Sequence, residues 1–176
     1  PTVSLSKGAD AIAMMNAAGY DVATLGNHEF DFGYEQLMSN LEEGNFSVIC
    51  ADVYKDGERI FSPSWTSSYA CGPYENPYFV RIGVFGMETP ETQTKVNPGL
   101  IQGIQFVSNT AAEEETLFTC AQEQIDALRT DGADIVIALA HLGVDAESAP
   151  DGHRSVDLYR NTEGIDLILD GHSHTV

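Results

Sequence analysis

Asp134-Ile135-Val136-Ile137-Ala138-Leu139-Ala140-His141-Leu142-Gly143 is the stretch that decides the fold. A short, continuously apolar run of this kind reads as a strand covered on both faces. A polar His-x-Gly follows it directly. Two other segments repeat the pattern. Asp21-Val22-Ala23-Thr24-Leu25 runs into Gly26-Asn27-His28-Glu29-Phe30-Asp31, and Asp166-Leu167-Ile168-Leu169-Asp170 runs into Gly171-His172-Ser173-His174. Ser47 to Ala51 and Tyr78 to Met87 are further apolar strands.

Helical segments separate these strands. Ser6 is the expected N-cap of a helix through Ala9, Ile12 and Met15 that stops at Gly19. Tyr34 to Glu43 carries Leu37, Met38 and Leu41 on one face. A long helix is expected from about Asn109 to Thr130, with Leu117, Ala121, Ile125 and Leu128 as its apolar stripe. A short helix is expected around Asp157 to Tyr159. Strands alternating with helices indicate an α/β fold with a parallel-rich sheet covered on both faces.

The remaining segments carry weaker signals. Residues 52–77 are rich in Gly, Pro, Ser and Tyr and read as irregular, with a hairpin around Lys55-Asp56-Gly57-Glu58. Residues 89–103 read as loop, and Ile104 to Val107 as a short strand. Trp65, Tyr69, Tyr74 and Tyr78 are expected to pack within loops. Glu113-Glu114-Glu115 reads as a solvated helix start, and His153 as solvent-exposed.

Composition narrows the partners. Among 176 residues there are 27 acidic and 8 basic side chains, a formal net charge of -19. No Lys/Arg cluster is present to meet nucleic acid, and an anionic membrane would be repelled. No run of about 18 apolar residues is present, so no membrane-spanning helix is expected. An anionic small-molecule substrate needs a local positive charge to approach such a body. Cys50 reads as a core thiol and Cys120 as a helix residue, while Cys71 lies in a loop and is paired or free.

Four of the five histidines fall in the three motifs. In open α/β sheets, ligands bind in the crevice outside the carboxyl ends of the strands, and all three motifs start there. Imidazoles together with an amide oxygen form a donor set for a borderline divalent metal such as Zn, Mn or Fe.

Gly-Asn-His-Glu, then His-x-Gly, then Gly-His-x-His is the ordered signature that the calcineurin-like metallophosphoesterases carry, and this chain resembles them. The longer forms Gly26 to Asp31 and Asp170 to Thr175 are similar to the 5′-nucleotidase and 2′,3′-cyclic phosphodiesterase branch. The resemblance spans essentially all of residues 1–176. It implies a four-layer α-β-β-α sandwich and a phosphoester hydrolase with two divalent metal ions. Asn27, His141 and His172 match ligands of the second metal, and His174 a ligand of the first. His28 matches the histidine facing the leaving-group oxygen, and Asp31 the carboxylate that orients it. Glu29 matches a structural position behind the site. The implied reaction is in-line attack on phosphorus by a hydroxide bridging two metals about 3.5–4 Å apart. The resemblance further implies a nucleotide or other small phosphoester substrate, and an exported protein in the periplasm, at the cell surface or outside the cell. Sugar-nucleotide hydrolases share the same core.

The chain departs from the family at its ends. The family has an Asp-x-His and a Gly-Asp upstream of the first motif, which supply the remaining ligands, and a C-terminal nucleotide-binding domain. None of these is present here. The expectation is therefore a catalytic domain lacking its N-terminal strands, nearly inactive alone. The ligands that remain are all neutral, so two +2 ions would meet no coordinating carboxylate. At most one ion, weakly held, is expected. The alternative is a non-catalytic binding module on the same fold.

Overall fold

The computed structural model describes residues 2–109, 116–146 and 152–175. The chain starts with α1 (Thr2–Ser6) and α2 (Ala9–Ala18). Gly8, at φ 99, caps α2 in place of Ser6. The Ser6 hydroxyl lies one turn earlier and accepts the Asp10 N–H at 3.2 Å. Gly19, at φ 75, ends α2 as expected. Then come β1 (Val22–Ala23), a 3-10 turn (Asn27–Phe30), α3 (Tyr34–Leu41) and β2 (Ser47–Val48), which pairs parallel with β1.

The expected hairpin forms between β3 (Val53–Lys55) and β4 (Glu58–Arg59). Its turn residues Asp56 and Gly57 both take positive φ, 54° and 86°. Those angles suit a two-residue connection that matches strand twist. Next are β5 (Ser64–Cys71), β6 (Tyr78–Glu88), the short α4 (Thr92–Lys95), and β7 (Ile104–Phe106), which pairs with β3. The chain closes with α5 (Leu117–Thr130), β8 (Ile135–His141), α6 (Ser155–Asn161) and β9 (Leu167–Asp170).

Four strands form one sheet in the order β5-β6-β8-β9. β6, β8 and β9 are parallel, whereas β5 is antiparallel to β6. The sheet is thus mixed, and residues 64–71 are strand rather than irregular. β5 is an edge strand with half-exposed Ser and Thr side chains, so it lacks the apolar run that marks a central strand. Trp65, Tyr69 and Tyr78 consequently sit on a hairpin, with Tyr69 and Tyr78 exposed, and Tyr74 is fully exposed at its tip. Cys71 ends β5 as a free thiol.

Two cores flank the junction between sheets. Leu117, Cys120, Ala121, Ile125 and Leu128 of α5 pack on Phe85, Met87, Val136 and Ala138. On the other side Leu25, Phe30, Leu37, Cys50, Val53 and Phe106 cluster, with the Phe30 and Phe106 rings edge-to-face at 5.2 Å. The opposite face of β9 remains open, with Leu167 and Leu169 about half exposed. Among the described residues β6 is thus covered on both faces from Val84 to Glu88, whereas β9 at the sheet edge is covered on one.

α5 starts at Leu117, later than the expected Asn109. The Thr116 hydroxyl accepts the Thr119 N–H, and the Thr119 hydroxyl accepts the Thr116 N–H. This reciprocal cap fixes the helix start. Glu113-Glu114-Glu115 lies outside the described residues. His153 is half-buried, and its Nε2 accepts the Asn109 N–H at 3.0 Å, so it ties two loops together rather than facing solvent.

Gly86 marks where the two sheets meet. Its carbonyl accepts the Ala51 N–H at 2.8 Å, and a Cβ there would lie 2.2 Å from the Ile49 carbonyl oxygen. Gly86→Ala should therefore destabilise the protein by about 1–3 kcal/mol, as overpacking does. A thermal melt unchanged by that substitution would contradict the contact.

Candidate metal centre

The first motif is held from both ends. Phe30 is fully buried, and the Glu29 carboxylate accepts the Gly26 N–H at 2.6 Å. Glu29 thus closes the turn, a structural role. With the turn fixed, half-buried Asn27 faces inward and exposed His28 faces out. His28 Nδ1 lies 2.8 Å from Asp31 Oδ2.

The other two motifs are brought level by parallel pairing of β8 and β9, with Ala140 opposite Asp170. Asp170 Oδ1 accepts the N–H groups of Leu142 at 2.9 Å, Gly143 at 3.3 Å and Gly171 at 2.9 Å. One carboxylate therefore ties the His141 loop to the His172 loop. His172 and His174 both take positive φ, 72° and 53°, which is uncommon for non-glycine residues. The double reversal folds the His-x-His segment back on itself. The His141 and His172 rings lie 5.0 Å apart, and His141 Nε2 is 3.1 Å from Asn27 Oδ1. His174 is exposed and does not border the opening described below.

The donor arrangement fits a metal ion in part. Asn27 Oδ1 and His141 Nε2 lie within hydrogen-bond distance, 3.1 Å, so both can approach one ion. A Cβ at Gly26 would come within 2.8 Å of the His141 ring, and one at Gly171 within 3.0 Å. These two glycines form a close cradle for that imidazole. Burial, then the neighbouring His172, pushes the His141 pKa down to about 4. The ring is thus neutral near pH 7, with a lone pair available. Among the described residues no three His, Cys, Asp or Glu side chains already converge on one point.

An opening of about 350 Å³ is bordered by Asn27, His28, Asp31, Glu91, Lys95 and His172. Glu91 and Lys95 were not singled out from sequence. They lie in a stretch expected as loop, where the four-residue α4 is too short to leave a periodic signal. Glu91 Oε2 is 3.2 Å from His172 Nε2.

Comparison with known proteins follows this geometry. Residues 7–176 match the calcineurin-like phosphoesterase family. The chain belongs to that family. It is 31% identical over 176 residues to the trifunctional nucleotide phosphoesterase protein YfkN of Bacillus subtilis, covering 98% of this chain and 12% of that protein. It is also 31% identical to the 5′-nucleotidase of Bos taurus, covering 96% of this chain and 26% of the relative. The crystal structure of the YfkN calcineurin-like phosphoesterase aligns with a TM-score of 0.78 at 31% identity, over 93% of this chain and 48% of that one. The chain thus has the calcineurin-like phosphoesterase fold and spans about a quarter or less of these two curated relatives.

Directly behind the His141 cradle lies a buried acid pair. Glu88 is opposite His141 across the β6–β8 ladder. Both Asp52 carboxylate oxygens face the Glu88 N–H at 3.0 and 3.1 Å, and the Cys50 thiol donates to Oδ1. The Thr92 hydroxyl donates to Glu88 Oε1 at 2.6 Å. Glu88 Oε2 has no hydrogen-bond partner among the described residues. Burial pushes Asp52 up to about 7 and lifts Glu88 well above the usual carboxylate range.

A carboxyl whose folded pKa exceeds its unfolded value contributes most stability below the unfolded pKa. That stability is lost as pH rises through the folded pKa. Stability should therefore fall between about pH 4 and pH 7, by on the order of a few kcal/mol. Glu88→Gln should reduce that slope and melt higher than the wild type at pH 8. Parallel melting profiles for the two proteins across that range would argue against a protonated pair.

Proposed function

We propose that this chain is the core of a metal-dependent phosphoric ester hydrolase acting on nucleotides, a 5′-nucleotidase or a 2′,3′-cyclic-nucleotide phosphodiesterase. The observation that carries this reading is the approach of Asn27, His141 and His172 beside the paired His28 and Asp31 at one opening. Family membership and relatives named for nucleotide chemistry support it.

Asn27, His141 and His172 would hold one divalent ion, and His174 would contribute to a second. When bound, such ions polarise the phosphoryl oxygens and activate water. The chain's own residues do the rest. Asp31 accepts the Nδ1–H of His28, which orients the ring. Nε2 of His28 can then donate a proton or hydrogen bond to the leaving oxygen, a role typically worth about 10²–10⁴-fold in rate. Lys95, at the same opening, supplies a positive charge to a phosphate in a protein of net charge -19.

We also infer that these residues alone hold at most one ion, weakly, since every assigned ligand is neutral when bound. The chain alone should then be nearly inactive. Export to the periplasm or cell surface is part of the same proposal. Among the described residues no helix is long and apolar enough to cross a membrane.

In the full-length protein, His28→Ala should lower kcat about 10²–10⁴-fold with metal content unchanged. Asn27→Ala and His172→Ala should instead lower metal content, read by elemental analysis. Full metal occupancy in both would remove them from the ligand set. Full-length protein with neither metal nor phosphatase activity would favour a binding module. Lys95→Glu should raise KM for a nucleotide more than it lowers kcat.

A further inference from the structure

We infer that Glu91 is a positioning residue for His172, accepting its Nε2–H so that the ring offers Nδ1 to a metal. This assignment rests on the metallohydrolase reading above.

The contact differs from an ordinary surface ion pair, which contributes little. The His172 and Glu91 side chains are only 12% and 19% exposed, with Nε2 and Oε2 3.2 Å apart. Glu91 is also fixed by its backbone. Its N–H donates to the Thr89 hydroxyl at 3.3 Å. Its carbonyl accepts the N–H groups of Thr94 and Lys95, both at 2.9 Å, and the Thr94 hydroxyl at 3.0 Å. The next residue, Thr92, is buried and bonded to Glu88. The carboxylate is therefore presented by a closed turn rather than by a mobile loop.

The chemistry follows from proton counting. An ionised carboxylate only accepts hydrogen bonds, and a neutral imidazole has one N–H. Facing Glu91, that proton sits on Nε2 of His172, and the lone pair sits on Nδ1. His28 shows the opposite polarity, because Asp31 faces its Nδ1. The two carboxylates thus select different nitrogens on two histidines bordering one opening. A carboxylate behind a ligating histidine fixes ring orientation and raises ligand basicity, and its removal typically lowers metal affinity 10–100-fold. Glu91 further brings negative charge close to an otherwise neutral ligand set.

The test uses the full-length protein. Mn2+ dissociation constants are measured by chelator competition for wild type, Glu91→Gln and Glu91→Ala, and the His172 tautomer is read by 15N-histidine NMR without metal. The expected result is a 10–100-fold weaker constant for Glu91→Ala. A smaller loss is expected for Glu91→Gln, whose amide oxygen still accepts the Nε2–H. Wild-type His172 should be the Nε2–H tautomer. A wild-type constant in Glu91→Ala, or an Nδ1–H tautomer in the wild type, overturns the assignment while leaving the hydrolase reading intact. Wild-type protein that binds no Mn2+ overturns both. Should Glu91→Ala fail to fold, the wild-type tautomer and the Glu91→Gln constant decide.

Discussion

The carboxylate of Asp170 is the interaction on which the site depends. It accepts N–H groups from Leu142 and Gly143 on one loop and from Gly171 on its own. The Gly171 N–H also reaches the Ala140 carbonyl at 3.1 Å, whereas Leu142 and Gly143 lie past the end of β8, where leaving an amide unpaired is unfavourable. By accepting from both of those, Asp170 couples the segment bearing His141 to the segment bearing His172. The reversals at His172 and His174 then have a fixed base from which to turn.

Charge is the second constraint. A chain with 27 acidic and 8 basic residues is poorly suited to attract a phosphate. The opening nevertheless combines a lysine, two imidazoles and an amide oxygen, and its two carboxylates, Asp31 and Glu91, face those histidines. Deeper in, Asp52 and Glu88 are kept from full ionisation by burial. Glu91 faces His172, and Asp170 holds the loop that follows His141, so carboxylates border the cradle as well.

The two histidine–carboxylate pairs explain how similar residue types serve different roles. His28 is exposed and paired within one turn, three residues from Asp31. That local device leaves its outer nitrogen facing solvent. His172 is half-buried and paired across the fold, 81 positions from Glu91. That long-range device holds the ring in place.

Local patterns in the chain were enough to determine several features. The apolar runs at Ile135 to Ala140 and Leu167 to Leu169, the turn pair Asp56-Gly57 and the stop at Gly19 each carry their own physical signal. The three histidine motifs were legible because each directly follows such a run, but β1 carries the first on a two-stranded sheet with β2 whereas β8 and β9 carry the other two on the four-stranded sheet, so the site joins two sheets rather than lying along one edge. Tertiary structure decided the rest. β5 was hidden because an edge strand needs no apolar periodicity. The start of α5 turned on the reciprocal Thr116–Thr119 cap. His153 was read as exposed because its partner, the Asn109 N–H, is remote in sequence. Glu91, Lys95 and the Asp52–Glu88 pair gave no signal, since their significance lies in what faces them. Hydrophobic periodicity reports which side of an element is buried. Only sheet register and packing report which distant side chain arrives there.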